Sequence, residues 1–200
     1  MKQMLPIKQI VTRLSHSLSE PPKPNLRLPG AKPMAHRLIR NTALQTSSIS
    51  AALAIPGGVT GLVTVLPEVA SIWRLQAQLI SNIAALHGKN SLVTREQMLW
   101  CMFRQMGYGV LKEYVIQQGG VYVVKKMQGQ ALDIFLHKIG LSLATRQGSR
   151  LAGKIIPVVG SVSAGALSYY DTRKVGQNAL QLYSKEIRLL EGEHSSPKAR

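Results

Sequence analysis

Two stretches of this 200-residue chain carry no charged side chain, and both are interrupted by proline and glycine. The first is residues 41–67, with Pro56-Gly57-Gly58 near its middle and Pro67 at its end; the second is residues 155–170, with Pro157, Gly160 and Gly165. Such segments must bury their surface, because apolar area in water is costly. They cannot do so as one long helix, since interior proline removes a hydrogen bond and clashes with the preceding turn. Their Gly, Ala and Ser content allows backbones to approach closely. On count alone the first is long enough to cross a bilayer, which takes about 20 residues. Its Ser, Thr and Gln side chains and its central break argue against a simple span, and the second segment is short for one. Both read as helical hairpins, packed in a soluble core or touching a membrane.

The two segments echo each other. Ile55-Pro56-Gly57-Gly58-Val59-Thr60-Gly61 opens one and Ile156-Pro157-Val158-Val159-Gly160-Ser161-Val162 the other. Each leads into a helical pattern with an acid near its start, and Glu68, Ser71 and Gln78 match Asp171, Lys174 and Gln181 at identical offsets. The distance from the proline differs between the two, so this is an imperfect pseudo-repeat. In both, an acid beside a helix start would meet the positive end of the helix dipole.

Elsewhere the apolar spacing is helical. It predicts helices over 34–54, from Glu68 to a stop at Gly88, from a capping box at Thr94-Arg95-Glu96-Gln97 through Met106 and Val110, over 121–139 after a break at Gly119-Gly120, and over 162–190. Aromatics are only 5% of the chain, which suits close helix packing better than a β-sandwich. The expected fold is all-α: a single helical bundle with two Pro/Gly-broken apolar hairpins in pseudo-repeat. Residues 1–33 form a basic amphipathic helix with a proline-rich linker, residues 34–190 the helical domain, and residues 191–200 a mobile tail.

Charge narrows the partners. The formal net charge is +16, and no acid occurs from Pro21 to Pro67, where Lys23, Arg27, Lys32, Arg37 and Arg40 fall. This balance suits an anionic membrane surface, nucleic acid or an acidic partner such as a membrane protein, and equally a merely solvated basic surface. No helix-turn-helix, zinc finger or RNA-binding aromatic motif supports nucleic acid.

Residues 40–185 resemble the EcsC family of bacterial proteins. The resemblance is carried by Ile55-Pro56-Gly57-Gly58, Glu68, Gln76 and Gln78, Ala84-Ala85-Leu86-His87-Gly88, Ile156-Pro157-Val158-Val159-Gly160, Ala164-Gly165, Asp171, Thr172 and Ala179. The family has Asp where this chain has Glu68 and Tyr where it has His87. The resemblance implies a helical bacterial protein with a membrane-linked role, since the family's namesake is encoded beside a membrane transporter. It supplies no catalytic residues.

No set of residues announces an enzyme. Cys101 is the single cysteine, has no adjacent His and Asp, and reads as a small buried hydrophobe. Asp133 and His137 share a helix face, but two ligands do not make a metal site. Gly57-Gly58 and Gly61 lack the lysine and spacing of a phosphate loop. Neither metal nor cofactor is expected. The candidate residues are therefore the acids Glu68 and Asp171; Pro56, Gly57, Gly58, Gly61, Pro157, Gly160 and Gly165 for hairpin or membrane contact; and Lys23, Arg27, Lys32, Arg37 and Arg40 for an anionic surface. The expected role is a non-enzymatic cytoplasmic protein, peripheral at the inner membrane face. A nucleic-acid binder, or a carrier of lipid or another apolar ligand, is the alternative.

Overall fold

The computed structural model describes residues 21–24, 32–53, 61–104, 109–127, scattered residues between 129 and 138, and 157–190. Helix α1 spans Lys32–Leu53 and α2 spans Gly61–Leu86. A 3-10 turn, Asn90–Leu92, leads to α3, Arg95–Phe103, and α4, Gly109–Tyr114. Strands β1, Val115–Gln118, and β2, Val121–Lys125, follow; then come α5, Pro157–Tyr183, and β3, Ile187–Leu190. The fold is mostly helical but not all-α.

The correction has a local cause. Gly119 and Gly120 have φ of +57° and +86°, the pair of positive values that turns a two-residue β-hairpin with the natural strand twist. Around them the β-branched and aromatic residues of Val115-Ile116 and Val121-Tyr122-Val123-Val124 pair antiparallel, with Gln118 opposite Val121. Val115, Tyr122 and Val124 turn inward, while Gln117, Gln118 and Lys125 face out. β3 then joins β2 in parallel, Tyr122 opposite Ile187, after a crossover containing α5, as parallel pairing demands. The helix expected to continue to Leu190 therefore ends at Tyr183, and the residues from Ile187 onward are a strand.

The expected breaks also differ. α2 runs through Pro67 without interruption, forgoing the one backbone bond that proline cannot donate. α5 is continuous as well, and Pro157 is its first residue, where a missing N–H costs nothing. The second segment is thus one long helix, not a hairpin. The first charge-free segment does contribute to two helices that pack together, α1 and α2; Pro56, Gly57 and Gly58 between them lie outside the described residues. Residues 1–20 and 191–200, the proposed leading helix and tail, also lie outside them. Of the proline-rich linker, Lys23 offers its carbonyl to Gln78 Nε2 at 2.9 Å, so the chain touches α2 there.

α1, α2 and α5 form the helical layer, and α1 against α5 is its most extensive contact. The two helices run antiparallel, with Gly165 beside Ser47 and Ala51, Thr172 beside Thr46, and Gly176 beside Ile39. A Cβ on Gly176 would sit 2.5 Å from Ile39 Cγ1; only glycine permits this approach. Between the glycines the interface is polar. Gln76 of α2 donates to Thr172 Oγ1 at 3.1 Å, the Thr46 and Thr172 hydroxyls lie 2.9 Å apart, and Thr46 Oγ1 donates to the Ala43 carbonyl at 3.1 Å. With Thr172 donating to Thr46, each hydroxyl uses its one proton and the buried chain of bonds is consistent.

The other end of α5 is held by α3. Thr94 caps α3 by accepting from the Gln97 N–H at 3.4 Å. The Gln97 side chain does not return to Thr94, as a full capping box requires; its Oε1 accepts from Tyr183 at 2.8 Å. Asn178 donates to the Cys101 carbonyl at 2.9 Å. Buried Glu96 accepts from the Met127 N–H at 3.0 Å, tying α3 to the end of β2. Around these bonds lies an aromatic core: Trp73 on Phe103, Phe103 on Phe135 and Trp100 on Tyr122, with centroids 5.1–5.8 Å apart and edge-to-face. Lys89 Nζ donates to the carbonyls of Tyr183 and Lys185, placing a cation where α5 leaves acceptors unpaired. Burial lowers the pKa of this ammonium, and Glu186 opposes the shift.

Two substitutions test the α1–α5 contact. Gly176→Ala overpacks Ile39, which costs about 1–3 kcal/mol, against the ~1 kcal/mol gained by alanine in a helix. The expected net result is a lower denaturation midpoint in urea, whereas a rise would show that the helices separate freely. Thr172→Val keeps the shape but strands Gln76 Nε2, and should cost about 1–3 kcal/mol in the same measurement.

Candidate anion-binding groove

The exposed face of α1 and the exposed face of α5 meet along a groove. On α1, His36, Arg37 and Arg40 fall within just over one helical turn; on α5, Tyr169, Arg173 and Gln177 recur every four residues and so form one row. Antiparallel packing sets these two rows opposite each other across a groove of about 430 Å3. Ile39, 4% exposed, forms part of its floor, and the same side chain is the one pressed against Gly176. The close glycine contact therefore fixes the groove's position.

The groove is electropositive. No carboxylate is among its described lining residues. The ion pairs among the described residues are Arg95 with Glu96 at 3.7 Å and Arg188 with Glu186 at 3.0 Å, and neither involves a groove arginine. The Arg173 guanidinium lies 5.9 Å from the centre of the Tyr169 ring, within the range of a cation–π contact. On the neighbouring face of α5, Lys174 Nζ lies 5.4 Å from the Tyr170 ring. Exposed Val162, Leu167 and Tyr170 on α5, with Met34 and Leu44 on α1, place apolar surface along the same pair of helices.

Of the basic residues singled out in sequence, Arg37 and Arg40 are exposed and line this groove. Lys23 is exposed, Lys32 is the first residue of α1, and Arg27 lies outside the described residues. Arg173, His36, Tyr169 and Gln177 escaped the sequence reading. Their spacing on each helix is visible in sequence, but nothing local says that the two rows face each other.

The acids are placed differently from expectation. α2 begins well before Glu68 and α5 well before Asp171, so neither acid lies in the first turn of its helix. Asp171 is exposed and engages a neighbouring group; the side chain of Glu68 lies outside the description. Gly165 is buried between α5 and α1 and is a packing contact, not a membrane contact. Gly61, Pro157 and Gly160 are helical in backbone, in α2 and α5. No described helix is long and apolar enough to cross a membrane.

A second cavity of about 250 Å3 lies between α3, α4 and the sheet, lined by Trp100, Leu111, Lys112 and Tyr122 among others. Arg104 stacks 4.5 Å above the Trp100 ring there and donates to Gln181 at 2.7 Å. Among the described residues no three His, Cys, Asp or Glu side chains gather as metal ligands; His137 is exposed, and Asp133 is outside the description. Comparison with protein-family models, with curated proteins and with solved structures finds no match.

Cys101 is fully buried, and burial pushes its thiol pKa far up, with Arg104 only partly offsetting this. Only the thiolate attacks an alkylating reagent. Native protein should therefore resist iodoacetamide at pH 8 and label stoichiometrically in denaturant, read by intact mass; fast native labelling would contradict the buried placement.

Proposed function

We propose that this chain is a non-enzymatic, EcsC-like helical protein that attaches peripherally to the anionic cytoplasmic face of the inner membrane and serves a membrane-linked process there. The observation that carries the reading is the groove of Arg37, Arg40 and Arg173, whose described lining holds no acid, on two helices that also expose Leu44 and Tyr170. Basic side chains draw such a surface to anionic lipid, each contributing about 1 kcal/mol close to the bilayer. Tyrosine and leucine then gain by entering the interfacial layer, where an aromatic ring keeps its hydroxyl wet. The resemblance to the EcsC family supports the same reading by analogy.

Sedimentation with vesicles tests it. Full-length protein should pellet with anionic vesicles at low salt, remain in the supernatant with zwitterionic ones, and be released near 1 M salt, where the Debye length falls to ~3 Å. Exchanging Lys23, Arg27, Lys32, Arg37 and Arg40 for Gln should abolish pelleting. Retention through the salt wash would instead mean insertion, with residues 41–67 the segment to examine. Absence of pelleting under all conditions, alongside a shift of duplex or single-stranded nucleic acid, would overturn the membrane reading in favour of a nucleic-acid binder.

A further inference from the structure

Attachment by charge alone needs no particular geometry, yet the basic residues here include a built groove. We infer that the groove between α1 and α5 is a discrete binding site for the terminal phosphomonoester headgroup of a membrane lipid, gripped by Arg37, Arg40 and Arg173. This inference rests on the membrane reading above and adds a ligand class and a stoichiometric site to it.

Three features carry it. First, three guanidinium groups line one concavity that no described carboxylate enters. Planar guanidinium forks match phosphate oxygens in pairs, which lysine cannot do. A phosphomonoester carries nearly two negative charges at neutral pH, against one on a diester, and so gains more from this concentration of cations. Asp171 lies two residues from Arg173, about 200° round the helix, and is not part of the lining. Second, about 430 Å3 is the scale of a pocket for an organic ligand, not of a bare ion. His36, Tyr169 and Gln177 add polar groups along its walls, and the Tyr169 ring steadies Arg173. Third, apolar side chains flank it at helical spacing. Leu44 lies one turn beyond Arg40 and Tyr170 one turn before Lys174, and both are exposed. A headgroup seated in the groove would bring the acyl region toward such side chains, whereas a soluble phosphate ester gains nothing from them. This favours lipid as the source of the phosphate.

The test compares zwitterionic vesicles doped with phosphatidic acid or with phosphatidylglycerol, the two adjusted to equal zeta potential. The full chain should bind the phosphomonoester vesicles about tenfold more tightly, the gain of one added pair of charged hydrogen bonds. Arg173→Lys keeps the charge and removes the fork; it should bring the affinities for the two vesicle types together, erasing the preference. Arg74→Gln, an exposed charge on α2 away from the groove, should lower both affinities alike and keep the ratio. Equal binding of the parent to both vesicle types overturns the headgroup site while leaving peripheral attachment standing. A preference that survives Arg173→Lys overturns the groove as its location. Binding to neither vesicle overturns attachment and headgroup site together. Glycerol phosphate in solution should compete only weakly; if it binds as tightly as the vesicles and does so through Arg173, the site serves a soluble phosphate ester and the lipid assignment falls.

Discussion

The contact between α1 and α5 is the constraint on which the rest of the described structure depends. Gly176 lets the two backbones close onto Ile39, and Gly165 does the same against Ser47 and Ala51. At that separation, long side chains are excluded and van der Waals contact between backbones takes their place. The Thr46–Thr172–Gln76 chain then brings in α2. Buried polar groups are costly unless paired, so this junction admits one register: a slip of either helix would leave a threonine or the glutamine unsatisfied. Glycine sets the distance and the polar chain sets the register.

With that register fixed, α5 organises both ends of the domain. Gly165, Thr172 and Gly176 lie on α1. Beyond them, Asn178 donates to the Cys101 carbonyl and Tyr183 to Gln97 Oε1, both on α3, and Lys89 terminates the helix. The chain leaves this cap already beside β2, where the Tyr122 N–H donates to the Glu186 carbonyl at 2.8 Å. The parallel β2–β3 pair is therefore a consequence of where α5 ends. A short strand with exposed Leu189 and Leu190 has little burial of its own to hold it.

Much of the helical framework was legible from residue pattern. The limits of α1, the stop at Gly88 and the Thr94 cap depend on local chemistry within a few residues, and they stand close to expectation. The sheet was missed for two separate reasons. Val115–Lys125 carried its signal openly, a Gly-Gly pair between β-branched runs, but helical spacing through Val124 and Met127 competed with it. Ile187–Leu190 carried none, because its strand character comes from β2 lying alongside. Proline was overweighted: Pro67 is carried inside α2, and Pro157 sits where helices accept it. The groove was half visible. Arg37 and Arg40 stood out in an acid-free run, whereas Arg173 lies in a stretch of mixed charge and acquires meaning only opposite α1. Contacts between residues over a hundred positions apart are not written in local pattern.

That half-visible groove also bears on how charge is used. Scattered basic residues attract any polyanion and distinguish little between them. Arg40 and Arg173 differ from Lys23 in being held on opposite walls whose spacing a buried glycine contact dictates. Ile39 belongs to both structures: its side chain meets Gly176 inside and the groove outside. Any change that pushes α1 from α5 therefore alters the distance between the arginine rows as well as the packing beneath them. A surface that served by net charge alone would be indifferent to that distance, since exposed charges interact through a screened field that falls off over about 8–10 Å. Recognition by paired hydrogen bonds is not, because these weaken steeply once donor and acceptor part by a few tenths of an ångström beyond ~3.2 Å. Coupling between core packing and ligand preference is thus the property that separates a site from a merely basic face.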